Sequence, residues 1–412
     1  MPLPRDAMIE LFEAGVRAVD PARAVEQSLR AAPVTAERAL YVISFGKAAC
    51  AMARAALSSV GNVADALVVT NRENAVQVDG ARVMAAGHPV PDAAGLRASA
   101  AVTRILGRAG AGDRVLVLVS GGGSALLPAP VPGLSLAEKA AVTEMLLGAG
   151  LEIGRVNAVR QHLSRLKGGG MLRAAAPARV TALILSDVIG DDLRAIASGP
   201  TVAPLMTRAD VRALLIATGL WVRLPKAARA RLSDDDTAGA LPEAENRLIG
   251  SNRIALEAMV HARPEAEIVE DALTGDVAEA AARIARVARA GGPQLGLFGG
   301  ETTVNLRGRG RGGRNQELAL RVAMAFEEAA PGVAWRFLSA GTDGRDGPTD
   351  AAGAVVDGGT LARLRAMGGD ADALLAENDS HMALRLSGDL LITGGTGTNV
   401  ADLQILSLGG AD

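Results

Sequence analysis

The chain has 412 residues, a formal net charge of −2 and 49% hydrophobic residues. This composition excludes global disorder and provides enough apolar surface for more than one core. Forty-three basic and 45 acidic residues are mixed along the chain, and only eight residues are aromatic. The sequence therefore lacks the basic surplus and the stacking platforms expected of a nucleic-acid-binding protein.

The sequence also argues against a membrane protein or a disulfide-stabilised one. No apolar stretch approaches the length of a membrane-spanning helix, and residues 1–20 lack the apolar core of a secretory signal. We therefore expect a cytoplasmic protein. The single cysteine, Cys50, excludes an intramolecular disulfide and a thiolate zinc cluster, and its apolar surroundings predict a buried, inert thiol.

The first half of the chain alternates short β-branched runs with helical patterns. The predicted strands are 40–45, 66–70, 83–86, 115–120 and 182–186, and the predicted helices include 48–57, 95–106 and 136–147. Continuous apolar strands joined by helical crossovers are typical of a parallel sheet covered by helices on both faces. Residues 1–240 therefore predict a three-layer, Rossmann-like, doubly wound α/β domain.

A polar, breaker-rich segment at 233–242 is the best candidate for a linker. After it, the predicted strands are 248–250, 267–269, 295–298, 337–339, 354–356, 390–393 and 403–406, and the predicted helices are 276–290, 315–328 and 359–367. Residues 241–412 therefore predict a second, smaller three-layer α/β domain.

Three glycines follow the buried strand at 115–120 and are flanked by two serines. The loop consists of Ser120, Gly121, Gly122, Gly123 and Ser124. Glycines at this place allow successive backbone amides to turn inward as a nest, which suits a phosphate or carboxylate. A tight turn without a ligand is the alternative.

Lysine is scarce, occurring only at positions 47, 139, 167 and 226. Lys47 stands where the strand at 40–45 turns into a helix, and a lysine there can reach a phosphoryl oxygen. The alternative is a solvated surface group, although arginine is used nearly everywhere else.

Carboxylates follow several other predicted strands. Asp187 and Asp191 come after the strand at 182–186, where they could hold Mg²⁺, act as a base or only cap a turn. Asp343 lies in an Asp- and Gly-rich loop at 339–350, whose spacing disfavours calcium and leaves a substrate or Mg²⁺ loop open. In the second domain, Glu301 follows two glycines, and Arg314 directly precedes a helix, where its fork could bind a carboxylate or phosphate.

Other polar features have plainer interpretations. The polar residues of the helical pattern at 156–167 are expected to be solvated, and His88, in a proline-rich loop, is expected to be structural. The histidines show no spacing of a zinc site. The glycines at 394–397 match a dinucleotide fingerprint only in part.

Together these loops resemble the class II glycerate 2-kinase family, whose C-terminal part is called the MOFRL domain. The shared motifs are SFGKAA (44–49), GHPVPD (87–92), SGGGSALL (120–127), NAVRQHLSRLKGG (157–169), SDVIGDD (186–192), ASGPT (197–201), GGETT (299–303), GRGGRNQE (310–317), GTDGRDG (341–347), NDS (378–380) and TNV (398–400). The resemblance implies transfer of the γ-phosphoryl group of ATP to the 2-hydroxyl of D-glycerate, with Mg²⁺. It also implies an active site in the cleft between the two domains, with Lys47 and Arg314 facing each other.

The residue roles that follow are hypotheses. The glycine loop and its serines bind phosphate, Lys47 stabilises the transferring group, and Arg314 binds the substrate carboxylate or the γ-phosphate. Asp187 is the candidate base, and Asp191 and Glu301 are the candidate Mg²⁺ ligands. Further expected substrate contacts are Asn315, Asp343 and Asn378.

Two other functions are weighed against the kinase. A hydroxypyruvate or tartrate-pathway reductase would need a complete dinucleotide fingerprint and a histidine paired with a carboxylate, and the sequence shows neither. A sugar-phosphate sensor would need the glycine loop but not the carboxylates. The expected partners are small molecules, D-glycerate and ATP, with no nucleic acid and no membrane; a homo-oligomer is left open.

Overall fold

The computed structural model describes residues 1–234, 240–329 and 333–409. The chain divides into two compact units, one formed by residues 21–249 and the other by residues 1–20 together with 250–412. Within the described residues, no helix combines the length and the apolarity that a membrane crossing requires.

The strands are β1 (Leu40–Phe45), β2 (Val63–Asn71), β3 (Arg82–Ala86), β4 (Arg114–Val119), β5 (Arg179–Leu185), β6 (Ala244–Gly250), β7 (Glu267–Asp276), β8 (Leu295–Thr303), β9 (Trp335–Gly341), β10 (Gly353–Asp357), β11 (Leu390–Leu391) and β12 (Asp402–Leu408). Each strand predicted from the sequence overlaps one of these, because runs of apolar β-branched residues mark strands buried on both faces.

The helices are α1 (Arg5–Ala18), α2 (Pro21–Ala31), α3 (Ala49–Ser59), α4 (Ala93–Leu106), α5 (Gly123–Leu126), α6 (Leu136–Gly148), α7 (Ile153–His162), α8 (Gly170–Ala175), α9 (Arg208–Ala217), α10 (Lys226–Ser233), α11 (Asn252–Ala262), α12 (Val277–Arg289), α13 (Arg314–Ala329), α14 (Thr360–Ala366), α15 (Ala371–Ala376) and α16 (Ser380–Ser387). Short 3₁₀ turns occupy Arg72–Asn74, Ile196–Ser198 and Trp221–Arg223.

The first unit is built on a sheet of order β3-β2-β1-β4-β5-β6. The pairs from β3 through β5 are all parallel. The order reverses between β1 and β4, which are adjacent in the sheet although two strands separate them in the chain. Open α/β sheets bind ligands outside the carboxyl ends of strands at such a switch point.

Helices cover both faces of this sheet. Along β1, Tyr41, Ile43 and Phe45 belong to one core with α4 and α8. Successive side chains of a strand point to opposite faces, so Leu40 and Val42 face the other side, where α2 and α3 pack. The predicted three-layer α/β fold is confirmed for this unit, and Cys50, on α3, is buried as expected.

A helical subdomain consisting of α6, α7, α9 and α10 has a core of its own. Leu146, Val159 and Leu215 are fully buried in it. Its helices begin at well-formed caps: Ser135 and Glu138 form a capping box at α6, and Thr207 and Asp210 form another at α9.

The second unit contains a sheet of order β11-β10-β9-β12-β8-β7. Only β7 and β8 pair in parallel, whereas the pairs that join β8 to β12, β12 to β9, β9 to β10 and β10 to β11 are antiparallel. Leu406 faces the core that contains α12 and α13, whereas Leu403 lies near Gly15 of α1 and Met259 of α11. Helices therefore cover both faces, and this unit too is a three-layer α/β structure.

The boundary between the units differs from the predicted division at 240/241 in two respects. Strand β6 extends the first sheet, so the change of unit falls at Ile249 and Gly250. Helix α1 packs against α11 and β12, so residues 1–20 belong to the second unit. A buried apolar face that docks on a distant element leaves no local sign in the sequence. The central residues of the predicted linker, 235–239, lie outside the described residues.

Candidate active site

Two strand-end loops meet at the switch point of the first sheet. The N–H of Lys47 donates to the carbonyl of Gly121 at 2.9 Å, and the N–H of Ala48 donates to the hydroxyl of Ser120 at 3.1 Å. Gly46 has a φ of +125°, and a Cβ there would lie 2.1 Å from the Ser120 hydroxyl oxygen, so this contact requires glycine. Ser120 is only 1% exposed. Its buried hydroxyl holds the loop that carries Lys47 against the glycine loop.

The glycine loop turns four successive N–H groups away from the protein scaffold. Among the described residues, no hydrogen-bond acceptor is found for the N–H groups of Gly121, Gly122, Gly123 and Ser124. Gly122 has a left-handed conformation, with a φ of +84°, and helical turn α5 begins directly after it. This is the geometry of a backbone nest that can accept an anion.

Charged and polar side chains surround the loop closely. A Cβ built on Gly121 would lie 2.2 Å from Oδ2 of Asp187, and one on Gly122 would lie 3.1 Å from Nε2 of His88 and 3.4 Å from Cγ of Lys47. The structure thus brings Lys47, Asp187 and the glycine loop together. It adds His88, which follows β3 and for which the sequence analysis predicted only a structural role.

Burial adjusts the charge states around the loop. Burial raises the pKa of the Asp187 carboxyl, and the positive charge of Lys47 offsets only part of that effect. Burial and repulsion by Lys47 both lower the pKa of His88, so its imidazole is neutral at neutral pH. The loop is therefore flanked by a cation, a neutral imidazole and a carboxyl group whose proton affinity is increased.

The far end of the loop contacts the segment that follows α7. The hydroxyls of Ser124 and Ser198 are 2.7 Å apart, and Nζ of Lys167 donates to the carbonyl of Ser124 at 2.8 Å. The prediction that the polar residues of this segment are solvated is wrong for Gln161, Ser164 and Lys167, which are 2%, 5% and 5% exposed.

The reason is that α7 ends at His162, earlier than the apolar periodicity predicts. The chain leaves the helix because Arg165 donates its N–H to the carbonyl of Ala129 and Ser164 pairs with Pro130. The segment therefore packs against the chain that follows the glycine loop.

In the second unit, Arg314 begins α13 and lies among carboxylates. Its Nε donates to Oδ2 of Asp402 at 2.5 Å, its Nη2 to Oδ1 of Asp402 at 2.9 Å, and its Nη1 lies 2.9 Å from Glu301. The hydrogen-bonded carboxylate of Asp402 and the charges of Asp402, Glu301 and Asp346 raise the pKa of Arg314 despite its partial burial. Arg314 therefore stays charged.

Asp346 supports the start of the same helix. Its carboxylate accepts hydrogen bonds from the backbone N–H groups of Asn315 and Gln316, which are free donors at a helix N-terminus. Burial raises the pKa of Asp346 to about 6, although these hydrogen bonds favour its charged form. Asn315 is 1% exposed. Its side-chain amide donates a hydrogen bond to Asp346 and accepts one from the hydroxyl of Ser339, so both ends of the side chain already have partners within the protein.

Two further predicted contacts have local partners. The Asn378 carbonyl oxygen accepts from the N–H groups of Arg307 and Gly308, and its amide donates to Glu317, so it holds the arginine-rich loop before α13. Asp343 accepts from the N–H of Arg345 in the turn after β9. Their roles as substrate contacts stay predictions.

The comparisons with known proteins agree on the family of this chain. Residues 7–233 match the family described as "Domain of unknown function (DUF4147)", and residues 294–402 match the MOFRL family. The D-glycerate 2-kinase of Thermotoga maritima is 41% identical over 96% of both chains. A crystal structure of glycerate kinase from Thermotoga maritima superposes with a TM-score of 0.90 at 38% identity, covering 98% of each chain. The chain belongs to the glycerate 2-kinase family.

Relatives in this family do not all carry a kinase name. A protein of Agrobacterium vitis provisionally named hydroxypyruvate reductase is 40% identical, over 98% of this chain and 94% of the relative. The predicted resemblance to glycerate 2-kinases is confirmed, and the name of this relative is the reason to test the reductase reaction directly.

In this glycerate 2-kinase family member, no group of three or more His, Cys, Asp or Glu side chains forms a metal-binding cluster within the described residues. Mg²⁺ in kinases is commonly held by one or two carboxylates together with substrate phosphates. Asp187 is the carboxylate that lies beside the glycine loop, where it is the candidate base. Glu301 instead pairs with Arg314, and Asp191 lies in a turn with a φ of +53°, so both stay predictions as ligands.

Sequence reasoning missed Asp402 and the buried lysines. Asp402 begins β12 and lies 88 positions from Arg314 in the chain. Asp402 stands at the edge of the apolar run at 403–406, but nothing local in the sequence links it to Arg314. The burial of Lys139 and Lys167 had a compositional signal, since lysine is so scarce in this chain.

Proposed function

We propose that this chain is a glycerate 2-kinase that phosphorylates D-glycerate at the 2-hydroxyl with ATP, giving 2-phospho-D-glycerate and ADP. The observation that carries the proposal is that the amides of Gly121–Gly123, flanked by Lys47 and Asp187 at a topological switch point, find no acceptor in the described part of the chain. Family membership agrees with it, and the Thermotoga maritima relative is named for this activity.

Phosphoryl transfer needs chiefly positioning and neutralisation of phosphate charge. The free amides of the glycine loop supply neutral donors, and Lys47 supplies a positive charge at the same place. Ser124 adds a hydroxyl at the far end of the loop. Ser120, being buried, contributes by fixing the position of Lys47.

Asp187 is proposed as the base. In the reaction the oxygen of the 2-hydroxyl forms a bond to the γ-phosphorus, the bond from that phosphorus to the bridging oxygen of ADP breaks, and the hydroxyl proton passes to the base. A carboxyl group whose pKa is raised by burial accepts a proton more readily than an ordinary aspartate. Mg²⁺, held mainly by phosphate oxygens with Asp191 or Glu301 as the predicted protein ligand, would neutralise phosphate charge.

Arg314 is proposed to bind an anionic group of the substrates. Asp402 and Glu301 engage three of its five N–H groups, and its side chain remains 34% exposed. The other N–H groups can therefore bind a carboxylate or phosphate, while Asp402 keeps the fork in one orientation.

The reductase alternative rests on the names of relatives such as the Agrobacterium vitis proteins. The strand order of the first sheet is that of dinucleotide-binding domains, but the turn after β1 reads Gly46-Lys47-Ala48-Ala49 and lacks the glycine fingerprint. Lys47 therefore stands in the turn where a reductase would have glycines that let the backbone approach the pyrophosphate of the dinucleotide.

The test uses the purified full chain in two assays run side by side. One contains D-glycerate, ATP and Mg²⁺ and detects ADP; the other contains hydroxypyruvate and NAD(P)H and follows loss of the reduced cofactor. ADP formation alone supports the proposal, and cofactor oxidation alone replaces it with the reductase. Neither activity would favour a sensor. Coupling the product directly to enolase, without a mutase, establishes phosphorylation at the 2-position.

A further inference from the structure

Two of the four lysines of the chain are buried beside the glycine loop. Lys139 is 6% exposed and Lys167 is 5% exposed. Lys167 donates to the carbonyl of Ser124, the last residue of the loop, at 2.8 Å, and Lys139 donates to the carbonyl of Pro128, just after the loop, at 2.7 Å. An ammonium carries three N–H groups, so the contacts within the described residues leave two on each lysine without an acceptor.

Arg160 completes a cation cluster, which we define as Lys139, Arg160 and Lys167. Burial, followed by repulsion from Arg160, lowers the pKa of Lys139 to about 7. Burial, followed by repulsion from Lys139 and Arg160, lowers the pKa of Lys167. Arg160 donates to the amide oxygen of Asn157, not to a carboxylate. The two buried lysines and the partly buried Arg160 have no carboxylate partner among the described residues, so they repel one another when protonated, and an anion bound among them would favour their charged forms.

A cavity of about 640 Å³ opens onto this cluster through Lys167. The exposed side chains of Arg165 and Arg173 also line it, and apolar walls come from Val131, Met206 and Ala227. The volume is typical of cavities that enclose a small ligand of nucleotide size. The lining is mostly basic and apolar, with one carboxylate from the exposed Asp234, and it suits a molecule with a phosphate chain and an aromatic base.

The cation cluster and the Lys47 site lie at the two ends of one short loop. Lys47 is next to Gly122, and Lys167 bonds the carbonyl of Ser124. Because Ser124 is only two positions after Gly122, their Cα atoms are at most about 7 Å apart. A phosphate chain that passes over the free amides can therefore be held by a lysine at each end.

We propose that this cavity binds the donor nucleotide, with Lys167, supported by Lys139 and Arg160, holding its phosphate chain. The inference rests on the proposed function, since a kinase needs a nucleotide. The acceptor fits less well, because glycerate carries a single carboxylate and three carbons, whereas the cluster offers three basic side chains and the cavity is several times larger than such a molecule.

Nucleotide binding is measured without turnover, by calorimetric titration of the full chain with adenylyl imidodiphosphate and Mg²⁺ in the absence of glycerate. We expect Lys167→Met to weaken binding roughly 10- to 100-fold, as for loss of a charged hydrogen bond. Lys139→Met should act in the same direction to a smaller extent. Lys226→Met, the same change at the exposed remaining lysine, should leave binding unchanged.

A second variant keeps the inference testable if Lys167→Met does not fold. Ala230 lies on the cavity wall at an exposed position of α10, so Ala230→Trp fills the cavity without touching the cluster. We expect it to weaken nucleotide binding also. Unchanged nucleotide affinity in folded Lys167→Met or in Ala230→Trp would overturn the inference, and a fall in melting temperature alone would assign Lys167 a structural role.

Steady-state kinetics distinguishes the two anionic substrates. A rise in KM for ATP with an unchanged KM for D-glycerate supports the inference, whereas a rise for D-glycerate alone would move the acceptor into this cavity and overturn it. If the chain binds the nucleotide through Lys167 but does not phosphorylate D-glycerate, only the proposed acceptor is refuted. If Lys167→Met phosphorylates D-glycerate as well as the wild type does, only this inference is refuted.

Discussion

Arg314 and Asp402 form a bidentate ion pair in which the carboxylate is fully buried and the guanidinium is one-third exposed. Asp402 is the first residue of β12, and it pairs with Gly300 of β8 and Gly341 of β9. The sheet therefore fixes the carboxylate, and the carboxylate fixes the orientation of the arginine fork. A planar fork held on one edge presents its other edge in a defined direction.

Asp402→Asn is expected to lower kcat/KM for D-glycerate by roughly 10- to 100-fold, the effect of one lost charged hydrogen bond. The amide retains one acceptor but turns N–H groups toward Arg314, so the fork is released from its fixed position. Steady-state kinetics with both substrates, alongside thermal unfolding, measures the effect.

The matched control is Asp271→Asn, the same change at an exposed ion-pair partner of Arg253, which should change kcat/KM by less than about threefold. Equal losses in the two variants, or an unaffected Asp402→Asn enzyme, would contradict a positioning role for Asp402.

Lys47→Met is expected to lower kcat by about 10²- to 10³-fold, since a charge aimed at the transferring phosphoryl group acts mainly in the transition state. The side chain is half-buried and its backbone N–H keeps the bond to Gly121, so folding should be retained. The assay is ADP release at saturating ATP. Lys226→Met serves as the control, and a Lys47→Met enzyme with normal turnover would remove Lys47 from the mechanism.

The candidate site residues of the first unit could be predicted from the sequence because they directly follow the ends of strands. Strand β1 occupies 40–45, as predicted, and the loops after β1, β4 and β5 carry Lys47, the glycines and Asp187. Carboxyl ends of parallel strands meet at one edge of a sheet, so residues placed there by sequence converge in space.

The second unit could not be predicted to the same depth. Apolar runs identify its strands but do not give their direction, and most of its pairs are antiparallel. Arg314 was found from its position before a helix, whereas its partner Asp402 could be found only from pairing of distant strands. Likewise the periodicity of α7 does not show that the helix ends at His162 and that Lys167 becomes buried.

Gly121→Ala is expected to reduce kcat/KM by about tenfold or more, because the new Cβ would lie 2.2 Å from Oδ2 of Asp187 and must displace it. The free energy of unfolding should fall by about 1–3 kcal/mol, as for other overpacked sites. Gly154→Ala, in α7 with open space around it, is the matched control and should be neutral or slightly stabilising. A Gly121→Ala enzyme as active as this control would show that Asp187 is not held against the loop.

The raised pKa of Asp346 predicts that the free energy of unfolding of the second unit depends on pH. Burial raises its pKa from 3.8 to about 6 in the folded chain, so the folded state holds the proton more tightly than the unfolded state does. The stabilising contribution is complete below about pH 4 and is lost as the pH rises through 6, by about 3 kcal/mol in total. Above that range the contribution no longer changes.

The measurement is the difference in free energy of unfolding between the wild type and Asp346→Asn across this range, since the amide does not titrate. Wild type should lose about 3 kcal/mol relative to Asp346→Asn between about pH 4 and about pH 7. Asp372→Asn, an exposed aspartate in the first turn of α15, should differ from wild type by a nearly constant amount. A difference for Asp346→Asn that is equally constant would mean that Asp346 keeps an ordinary carboxylate pKa, so that the hydrogen bonds from Asn315 and Gln316 outweigh its burial.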